Sequence, residues 1–530
     1  MRPLLINGFM ATGKSALAEA VALRTGRPCV DLDARIVRQI GMPIAEYFSR
    51  HGEAGFREVE REELFRLLQG WRHEFPAPPV CALGGGALLH RPTRLTALRQ
   101  AVVISLEASL DTVLGRAGRE GGRPLLDGRP PQALAELMEH RRPAYREANA
   151  LLRTDDASPT ELAEIAARIW NDDAIVVATS AHTYLVEVGG GRVEACLPAL
   201  VGGTSGVLLV SDETVHGLYG ARVDGVLRAA SPAVASVVLT PGEQAKNLSS
   251  IQTVYQAALE RSLDRKGTFV ALGGGVVTDM TGFAAASWLR GVRWVGVAST
   301  LLAMVDASVG GKTGVDFGPA KNSVGSFWQP SGVLCETDFI ETESERAYRG
   351  ALAEVVKTAV IGDPELFGLL ESRTDEVLAR DPKTVAEMVH RCVALKAWVV
   401  GTDERESGIR AWLNLGHTIG HALEAHGEYS RLTHGEAVSL GMVAALRVGE
   451  RLGETPRELT ERVVALLERL GLPSSLAGEP VTQAAELLGH DKKRAGAKLR
   501  FVLARGVGSV SLADLDLADV QHYARELAAH

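Results

Sequence analysis

The sequence predicts an α/β protein in which a first domain built on a parallel sheet is followed by a second α/β part and then by a mainly helical part. Three observations lead to this prediction. Residues 3–7 form a short apolar strand pattern that leads into a glycine-containing loop and a helix, and residues 268–272 form a buried strand that leads into three glycines and a helix beginning near Val276. From about Glu343 onward the pattern is helical, with few strand-like runs before residues 499–503.

Length and composition indicate several domains and exclude some classes of function. A chain of 530 residues exceeds what one hydrophobic core usually serves. A net charge of −8 argues against a general nucleic-acid binder, so anionic small molecules would have to be held by local clusters of cations. The five scattered cysteines favour reduced thiols in a cytoplasm, and we find neither an export signal nor an apolar stretch of membrane-spanning length.

A phosphate-binding loop is predicted directly after the first strand. Residues 8–15, GFMATGKS, fit the pattern G-x-x-x-x-G-K-[ST], and a helical stretch follows at residues 16–24. In such a loop the backbone N–H groups surround the phosphates, Lys14 reaches the β- and γ-oxygens, and the Ser15 hydroxyl binds Mg²⁺. The predicted ATP contacts in this loop are Gly8, Ala11, Thr12, Gly13, Lys14 and Ser15.

Two carboxylates follow the next predicted strand, residues 28–32. Asp31 and Asp33 would lie at the carboxyl edge of the sheet, where one could bind Mg²⁺ and the other a hydroxyl nucleophile. An aspartate after a strand often serves only as a helix N-cap, so both interpretations stand at this point. We assign Asp31 to Mg²⁺, together with Ser15.

Several short motifs in one order resemble shikimate kinase. They are DLD at residues 31–33, G-E-x-x-F-R-x-x-E at 52–60, LGGGAL at 83–88, RPLL at 123–126 and RRPAY at 141–145. The resemblance implies that Asp33 and Arg57 bind shikimate, that Arg141 binds its carboxylate, and that Arg123 lies on a mobile lid over ATP. It also implies that the glycine triplet packs against shikimate, through Gly84, Gly85 and Gly86. Lys14 and Asp33 are the expected catalytic residues of this domain.

The second predicted part has strands near residues 184–188, 206–211, 236–240, 268–272 and 294–298, which alternate with helices. We place the domain boundaries at residues 1–172, 173–342 and 343–530. The glycines after the fourth strand would let backbone N–H groups approach a pyrophosphate at a helix N-terminus. Three glycines after a strand are most often only a tight turn, and the fingerprint G-x-G-x-x-G is missing.

The wider sequence resembles 3-dehydroquinate synthase along about 350 residues. The motifs are PGEQAK at residues 241–246, GGGVV-x-D at 273–279, STLLAMVDASVGGKTG at 299–314 and KN-x-x-G-x-x-x-QP at 321–330. The resemblance implies that NAD is held by Glu243, Lys246, Gly273, Gly274, Gly275, Val276, Asp279, Ser299, Thr300, Lys312 and Lys321.

A metal site is predicted in the helical part. His417 and His421 stand at i and i+4 on one helix face, so the residues alone favour this pair with a distant acid. The resemblance instead implies Glu354, His417 and His434 as ligands of Zn²⁺ or Co²⁺, and leaves His421 free to act near the substrate. Lys357 follows Glu354 by three residues and should face the same cavity.

The remaining site residues come from the resemblance. It implies that the substrate phosphate and carboxylate contact Lys312, Asn322, Lys357, Lys396, Arg410, Asn414 and Lys492, although Lys493 competes with Lys492 for this role. The expected catalytic residues are His421, Lys357, Asp306 and Arg290. Arg290 would act in a neighbouring subunit's site, which implies a homodimer through this half of the chain.

The sequence therefore predicts a bifunctional cytoplasmic enzyme that binds small molecules, with no nucleic acid or membrane partner. One half would phosphorylate shikimate with ATP and Mg²⁺, and the other would convert 3-deoxy-D-arabino-heptulosonate 7-phosphate to 3-dehydroquinate with NAD and a divalent metal. Two alternatives remain. The second half could be another sugar-phosphate cyclase of the 2-deoxy-scyllo-inosose or valiolone type, and the kinase-like domain could be a regulatory module without turnover.

Overall fold

The computed structural model describes residues 2–120, 130–155, 157–172, 175–179, 182–318, 320–492 and 498–528. By its internal contacts the chain divides into two compact units, Met1–Leu185 and Val186–His530. Within the described ranges, none of the helices combines the length and the apolar character that crossing a membrane requires.

The first unit alternates strands and helices, as the sequence predicts. Its elements in chain order are β1 (Leu4–Gly8), α1 (Lys14–Thr25), β2 (Cys29–Asp31), α2 (Leu32–Ile40), α3 (Ile44–Glu74), β3 (Val80–Ala82), α4 (Arg91–Gln100), β4 (Val102–Glu107), α5 (Leu110–Glu120), α6 (Pro131–Arg146), β5 (Ala150–Arg153), α7 (Pro159–Asp172) and β6 (Ile175–Ala178).

Five of these strands form a parallel sheet in the order β2-β3-β1-β4-β5. The central strand β1 is buried on both faces, because Leu4 and Ile6 pack with residues of α1 and α7 while Leu5 packs with residues of α3 and α4. Helices therefore cover both faces, and the loop after β1 emerges at the carboxyl edge of the sheet, where ligands bind in such folds.

The first unit extends past the boundary that the sequence suggests at residue 172. Strand β6, which that boundary assigns to the second domain, contributes Val176 and Ala178 to the hydrophobic core that also contains Leu5. The division by contacts lies after Leu185.

The second unit begins within a strand that crosses the division. The elements of its α/β part are β7 (Thr183–Gly189), α8 (Arg192–Leu200), β8 (Val207–Asp212), α9 (Glu213–Val215), α10 (Ala221–Ala230), β9 (Val234–Leu239), α11 (Leu248–Glu260), β10 (Thr268–Gly273), α12 (Gly275–Ser287), β11 (Arg293–Ala298), β12 (Lys312–Phe317), β13 (Ala320–Phe327) and β14 (Gly332–Glu336).

The main sheet of this unit places the glycine turn at the carboxyl edge of a central strand. β7, β14, β11, β10, β8 and β9 lie side by side in that order, and the pairs from β14 to β9 are parallel. Gly273 at the end of β10 is in register with Ala298 at the end of β11. The turn after β10 and the Ser299–Thr300 segment after β11 therefore emerge together.

The segment that delivers Lys312 and Asn322 is an antiparallel hairpin of β12 and β13, in which Gly314 pairs with Gly325. A Cβ on Gly325 would lie 2.1 Å from the Thr313 carbonyl oxygen, so these strands approach each other at a distance that only glycine allows. The same glycines hide the alternating pattern by which a strand is recognised.

The helical part of the second unit ends in a small hairpin and a final helix. Its elements are α13 (Glu345–Gly362), α14 (Pro364–Ser372), α15 (Thr374–Leu378), α16 (Pro382–Thr402), α17 (His417–His426), α18 (His434–Arg451), α19 (Arg457–Arg469), α20 (Val481–Lys492), β15 (Lys498–Gly506), β16 (Ser509–Asp516) and α21 (Leu517–Ala528). The predicted run at residues 499–503 lies in β15, and its partner β16 was not predicted.

Candidate active sites

The loop between β1 and α1 has the backbone that phosphate binding requires. Gly8, Ala11 and Gly13 have positive φ angles of 139°, 60° and 92°. A Cβ on Gly8 would lie 2.7 Å from the Leu106 carbonyl oxygen, so the loop can turn here only without a side chain. The Lys14 ammonium donates to the Phe9 carbonyl oxygen at 2.9 Å, which holds it over the loop.

The two predicted Mg²⁺ ligands face each other. The Ser15 hydroxyl donates to one carboxylate oxygen of Asp31 at 3.4 Å, and the other oxygen accepts from the Ala34 N–H at 3.0 Å. Asp31 is thus the N-cap of α2 and at the same time the neighbour of Ser15, so the two interpretations of this residue are compatible. A hydroxyl and a carboxylate oxygen are the donors that Mg²⁺ prefers.

The glycine triplet after β3 lies against the side chains that the sequence assigned to shikimate. A Cβ on Gly84 would lie 3.0 Å from an Asp33 carboxylate oxygen, and a Cβ on Gly86 would lie 2.2 Å from the Arg57 guanidinium carbon. Arg57 donates to Glu60 at 2.6 Å, and Glu60 is 2% exposed. Burial raises the pKa of Glu60 against the opposing effect of Arg57.

Glu60 is a site residue that our sequence reasoning missed. It closes the motif G-E-x-x-F-R-x-x-E and follows Arg57 by one helical turn on α3, and that spacing was the available signal. Its carboxylate orients the guanidinium of Arg57 from the buried side.

Helix α6 brings the last predicted kinase residue to the same region. The Arg141 side chain is buried, with its guanidinium carbon 5.9 Å from the centre of the Phe9 ring. The Tyr145 hydroxyl donates to the Gly85 carbonyl oxygen at 2.6 Å, which ties α6 to the glycine triplet. Arg123, the predicted lid residue, lies outside the described residues.

In the second unit, a cavity of about 530 Å³ lies between the β12–β13 hairpin and the helical part. Most of the side chains that the sequence assigned to substrate, catalysis and metal line it, together with Asp279 from the set assigned to NAD. These are Asp279, Asp306, Lys312, Asn322, Lys357, Lys396, Arg410, Asn414, His417, His421 and His434.

Three helices bring the proposed metal ligands together at this cavity. One carboxylate oxygen of Glu354, on α13, lies 3.5 Å from Nε2 of His417 and 3.5 Å from Nε2 of His434, the first residues of α17 and α18. Two atoms 3.5 Å apart can both lie about 2.0–2.2 Å from one ion between them, which is the bond length of Zn²⁺ to nitrogen and oxygen ligands. The other Glu354 oxygen pairs with Lys357.

A second group of donors shares one member with this triad. Ligand atoms of His421, Glu424 and His434 also lie within 4.8 Å of one another. His417 and His421, the pair that spacing alone favoured, have ring centres 5.0 Å apart and do not share a group among the described residues.

Burial and charge act differently on the two histidines of the triad. Burial lowers the pKa of His417 to about 3, and Lys357 acts in the same direction. This keeps the imidazole neutral, which is the form that binds metals. Burial would also lower the pKa of His434, but the carboxylates of Glu354 and Glu424 outweigh it and raise that pKa to about 10.

The lysines of the cavity are paired with carboxylates. Lys396 donates to Asp306 at 2.6 Å, and Lys312 donates to Glu406 at 2.5 Å. Glu406 also accepts from the Asn414 amide at 2.7 Å and was missed by sequence reasoning, because nothing in its spacing distinguishes it from a surface acid. An anionic substrate would compete with these carboxylates for the same cations.

The residues assigned to NAD gather at the carboxyl edge of β10 and β11. The Ser299 N–H donates to the Gly273 carbonyl oxygen at 3.0 Å, and the Thr300 side chain lies 3.3 Å from where a Cβ on Gly274 would be. The Ser299 hydroxyl oxygen is buried and has no hydrogen-bond partner among the described residues. A buried hydroxyl without a partner can hydrogen-bond to a polar ligand, and the glycine turn beside it has no side chains that would keep the ligand away from the backbone.

Lys246 connects the dinucleotide region with the substrate region. It is buried and donates to Asp279 and to the Asn322 amide oxygen, both at 2.6 Å. Glu243 lies 3.3 Å from the Lys321 ammonium, which also stands 4.3 Å from the centre of the Tyr429 ring.

Val276 and Arg290 are absent from the lining of the cavity. Val276, in the first turn of α12, packs against the hydrophobic core. Arg290 is exposed and has a positive φ of 68°. The Lys492 side chain lies outside the described part of the chain.

A phosphate-loop domain joined to an α/β unit that combines a dinucleotide turn with a histidine–carboxylate triad defines a fused kinase and cyclase. The chain belongs to the 3-dehydroquinate synthase family and carries a shikimate kinase domain in front of it. Residues 10–173 match the family model for shikimate kinase, and residues 236–350 and 351–494 match those for the N-terminal and C-terminal parts of 3-dehydroquinate synthase. The resemblance and the fold class stated from the sequence are thereby confirmed.

Individual relatives agree with this assignment. The chain is 48% identical over 317 residues to a 3-dehydroquinate synthase of Nostoc punctiforme, which is 59% of this chain and 87% of the relative. It is 46% identical over 327 residues to one of Halorhodospira halophila, 62% of this chain and 91% of the relative. Among solved structures, a 2-epi-5-epi-valiolone synthase from Streptomyces hygroscopicus subsp. jinggangensis with NAD⁺ and Zn²⁺ bound is 28% identical, with a TM-score of 0.60 over 66% of this chain and 98% of that one.

Proposed function

We propose that this chain is a bifunctional enzyme of the shikimate pathway. Its first unit transfers the γ-phosphoryl group of ATP to the 3-hydroxyl of shikimate. Its second unit cyclises 3-deoxy-D-arabino-heptulosonate 7-phosphate to 3-dehydroquinate with loss of phosphate. The observation that carries the proposal is the convergence of Glu354, His417 and His434 on one point of a cation-lined cavity.

The kinase proposal rests on the contacts of the first unit. Lys14 and the loop N–H groups would bind ATP, and Ser15 and Asp31, which face each other, would supply oxygen ligands to Mg²⁺. Arg57 and Arg141 supply guanidinium groups for a carboxylated substrate, while Asp33 supplies an acceptor for a substrate hydroxyl. Phosphoryl transfer depends mainly on such positioning and charge.

In the second unit, Glu354, His417 and His434 would hold Zn²⁺ or Co²⁺, and the Gly273–Gly275 turn with Ser299 would hold NAD. When bound, these groups supply polarisation of the substrate hydroxyls and a reversible hydride acceptor.

The chain's own cavity side chains then bind and orient the substrate. Lys312, Lys396 and Arg410 bind its phosphate and carboxylate. His421 lines the cavity outside the triad and would move a proton at the substrate. Desolvation by the cavity walls lowers its pKa, which favours the neutral imidazole that can accept a proton.

Two assays on three proteins test this proposal. Wild type, Lys14→Ala and His417→Ala are compared for shikimate-dependent ADP release and for heptulosonate-dependent phosphate release. Lys14→Ala should lose only the first activity and His417→Ala only the second. If wild type fails to release ADP with shikimate, the kinase-like unit is a regulatory module instead.

The nearest rival is another sugar-phosphate cyclase. The relatives at 46–48% identity favour 3-dehydroquinate synthase, whereas the valiolone synthase is only 28% identical. Cyclisation by wild type of glucose 6-phosphate or sedoheptulose 7-phosphate, but not of the heptulosonate phosphate, would overturn the choice.

We also propose a cytoplasmic homodimer. The five cysteines, none of which forms a disulfide, support the location, and the exposed position of Arg290 supports the dimer. If Arg290 acts in the partner's site, mixing inactive Arg290→Ala and His417→Ala proteins should restore part of the synthase activity. No recovery in mixed dimers that are verified by mass would show that Arg290 acts in its own chain or not at all.

A further inference from the structure

The two nitrogens of the His434 ring face two different carboxylates. Nε2 lies 3.5 Å from Glu354 in the proposed metal triad, and Nδ1 lies 3.4 Å from an oxygen of Glu424. Glu424 is 5% exposed, on the side of the ring away from the triad. A buried carboxylate in this position needs a reason, because burying it carries a desolvation penalty.

The backbone of His434 is already fixed from other directions. The Thr433 hydroxyl accepts from the Glu436 N–H, and the Glu436 carboxylate accepts from the Thr433 N–H, which forms a capping box at the start of α18. Gly435 packs directly on Gly350 of α13. Two properties of the imidazole are then still free: the rotation of the ring about its side-chain bonds and the nitrogen that carries the proton. Glu424 can restrict both, because it contacts Nδ1.

We propose that Glu424 is the positioning residue that holds the His434 ring in its metal-binding tautomer. An ionised carboxylate can only accept a hydrogen bond, so it favours the ring in which Nδ1 carries the proton. The lone pair then lies on Nε2, which points at Glu354 and the ion position. Such an outer carboxylate both orients a histidine ligand and raises its basicity. This inference rests on the proposed metal site.

Helix α17 presents Glu424 on the same face as the other members of the site. His417, His421 and Glu424 follow one another at i, i+4 and i+7, so they share one face of that helix. His417 contributes a ligand and Glu424 contributes the support for the next ligand. One face of α17 therefore supplies one histidine of the triad and holds the ring of the other in place.

The rival interpretation is a second metal ion held by His421, Glu424 and His434. These residues do bring three donor atoms within 4.8 Å. However, a neutral imidazole has only one nitrogen with a free lone pair. His434 could bind two ions at once only by losing its remaining N–H proton, so a single ion with Glu424 as hydrogen-bond acceptor is the simpler chemistry.

Metal titration of the full chain separates these cases. Apo-protein in Mg²⁺-free buffer is titrated with Co²⁺ or Zn²⁺ against a chromophoric chelator, and ions per chain are counted by mass spectrometry. Wild type should bind one ion. Glu424→Gln and Glu424→Ala should still bind one, with affinity about 10–100-fold lower and the larger loss for alanine, because glutamine keeps an oxygen acceptor.

Two further variants make the outcome decisive. Glu428→Gln removes an exposed acid just after the same helix and should leave affinity unchanged. The circular dichroism spectrum and the thermal unfolding of every variant report whether the second unit is folded. If Glu424→Gln binds with wild-type affinity, or reduces two ions per chain to one, the positioning role is overturned. If Glu354→Gln also leaves binding unchanged, the proposed metal site itself fails, which is a separate result.

Discussion

Replacing Gly435 by alanine should force apart two helices that carry proposed metal ligands. A Cβ on Gly435 would lie 1.8 Å from the Gly350 carbonyl oxygen, whereas real Cβ atoms essentially never come within 3.0 Å of another atom. Helix α18 must therefore retreat from α13 by at least about 1.2 Å at this contact. Gly435 follows His434 directly, and Gly350 precedes Glu354 by one helical turn, so the displacement falls on the triad.

A shift of this size is large for a metal site, where bond lengths hold to about 0.2 Å. We expect Gly435→Ala to weaken binding of Zn²⁺ at least about tenfold, to lower synthase activity in parallel, and to cost about 1–3 kcal/mol of stability through overpacking. The measurements are bound metal, phosphate release and thermal unfolding. Kinase activity should be unchanged, since it resides in the other unit.

Gly368 provides the matched control, because it is also a helical glycine but a Cβ there would meet no atom of the described residues within 4 Å. Gly368→Ala should keep its metal and gain about 0.5–1 kcal/mol of stability. Wild-type metal content and synthase activity in Gly435→Ala would refute the reasoning that this helix contact sets the triad.

Three other predictions rest on single contacts or on the choice of metal. Burial raises the pKa of Glu343 to about 7 from 4.5, although its carboxylate accepts from the Leu301 N–H. The folded state therefore holds this proton more tightly than the unfolded state, and the free energy of unfolding should fall as pH rises from about 4.5 to 7. Thermal melts at pH 5 and 8 should show a smaller difference in stability for Glu343→Gln than for wild type. An unchanged difference would exclude Glu343 as its source. Gly86→Ala should push the Arg57 guanidinium off Glu60 and raise the KM for shikimate without affecting the synthase, as steady-state kinetics would show. Chelation followed by return of Mg²⁺ alone should restore phosphoryl transfer but not cyclisation, and full recovery of cyclisation would argue against a transition metal.

The sequence predicts contiguous parts of the sites well. The loop at residues 8–15 needs only a strand before it and a helix after it, and both are present as β1 and α1. The turn at Gly273–Gly275 is similar, because β10 is an uninterrupted apolar run. In these cases the local pattern and the function occupy the same few residues.

The metal triad depends on information that local spacing does not contain. His417 and His421 share a helix face, so spacing alone favours them, yet the structure brings His434 of the next helix to Glu354 instead. The packing of α13, α17 and α18 determines which of the histidines meets Glu354. The 3.6-residue period within one helix contains no information about that packing. Only the resemblance to a known family pointed to these three residues.

Acids that act through other side chains were the main omission. Glu60, Glu406 and Glu424 each contact a residue that the sequence did identify, namely Arg57, Lys312 and His434. Glutamates are common on solvated helix faces and in surface loops, so the residue type alone carries little signal. Its role becomes visible only when the partner and the burial are known.

Backbone contacts between helices are the deeper cause of the triad's geometry. His417 and His434 are each the first residue of a helix, and each stands next to a glycine, Gly416 before one and Gly435 after the other. A Cβ on Gly441 of α18 would lie 1.9 Å from the Gly416 carbonyl oxygen, just as one on Gly435 would strike α13. Helix α18 is thus in main-chain contact with α13 at Gly435 and with the start of α17 at Gly441. Because main-chain contacts have no rotamers to relax, the positions of the ligands are fixed more firmly than side-chain packing alone could achieve, and the glycines beside the ligands are as much a part of the site as the ligands themselves.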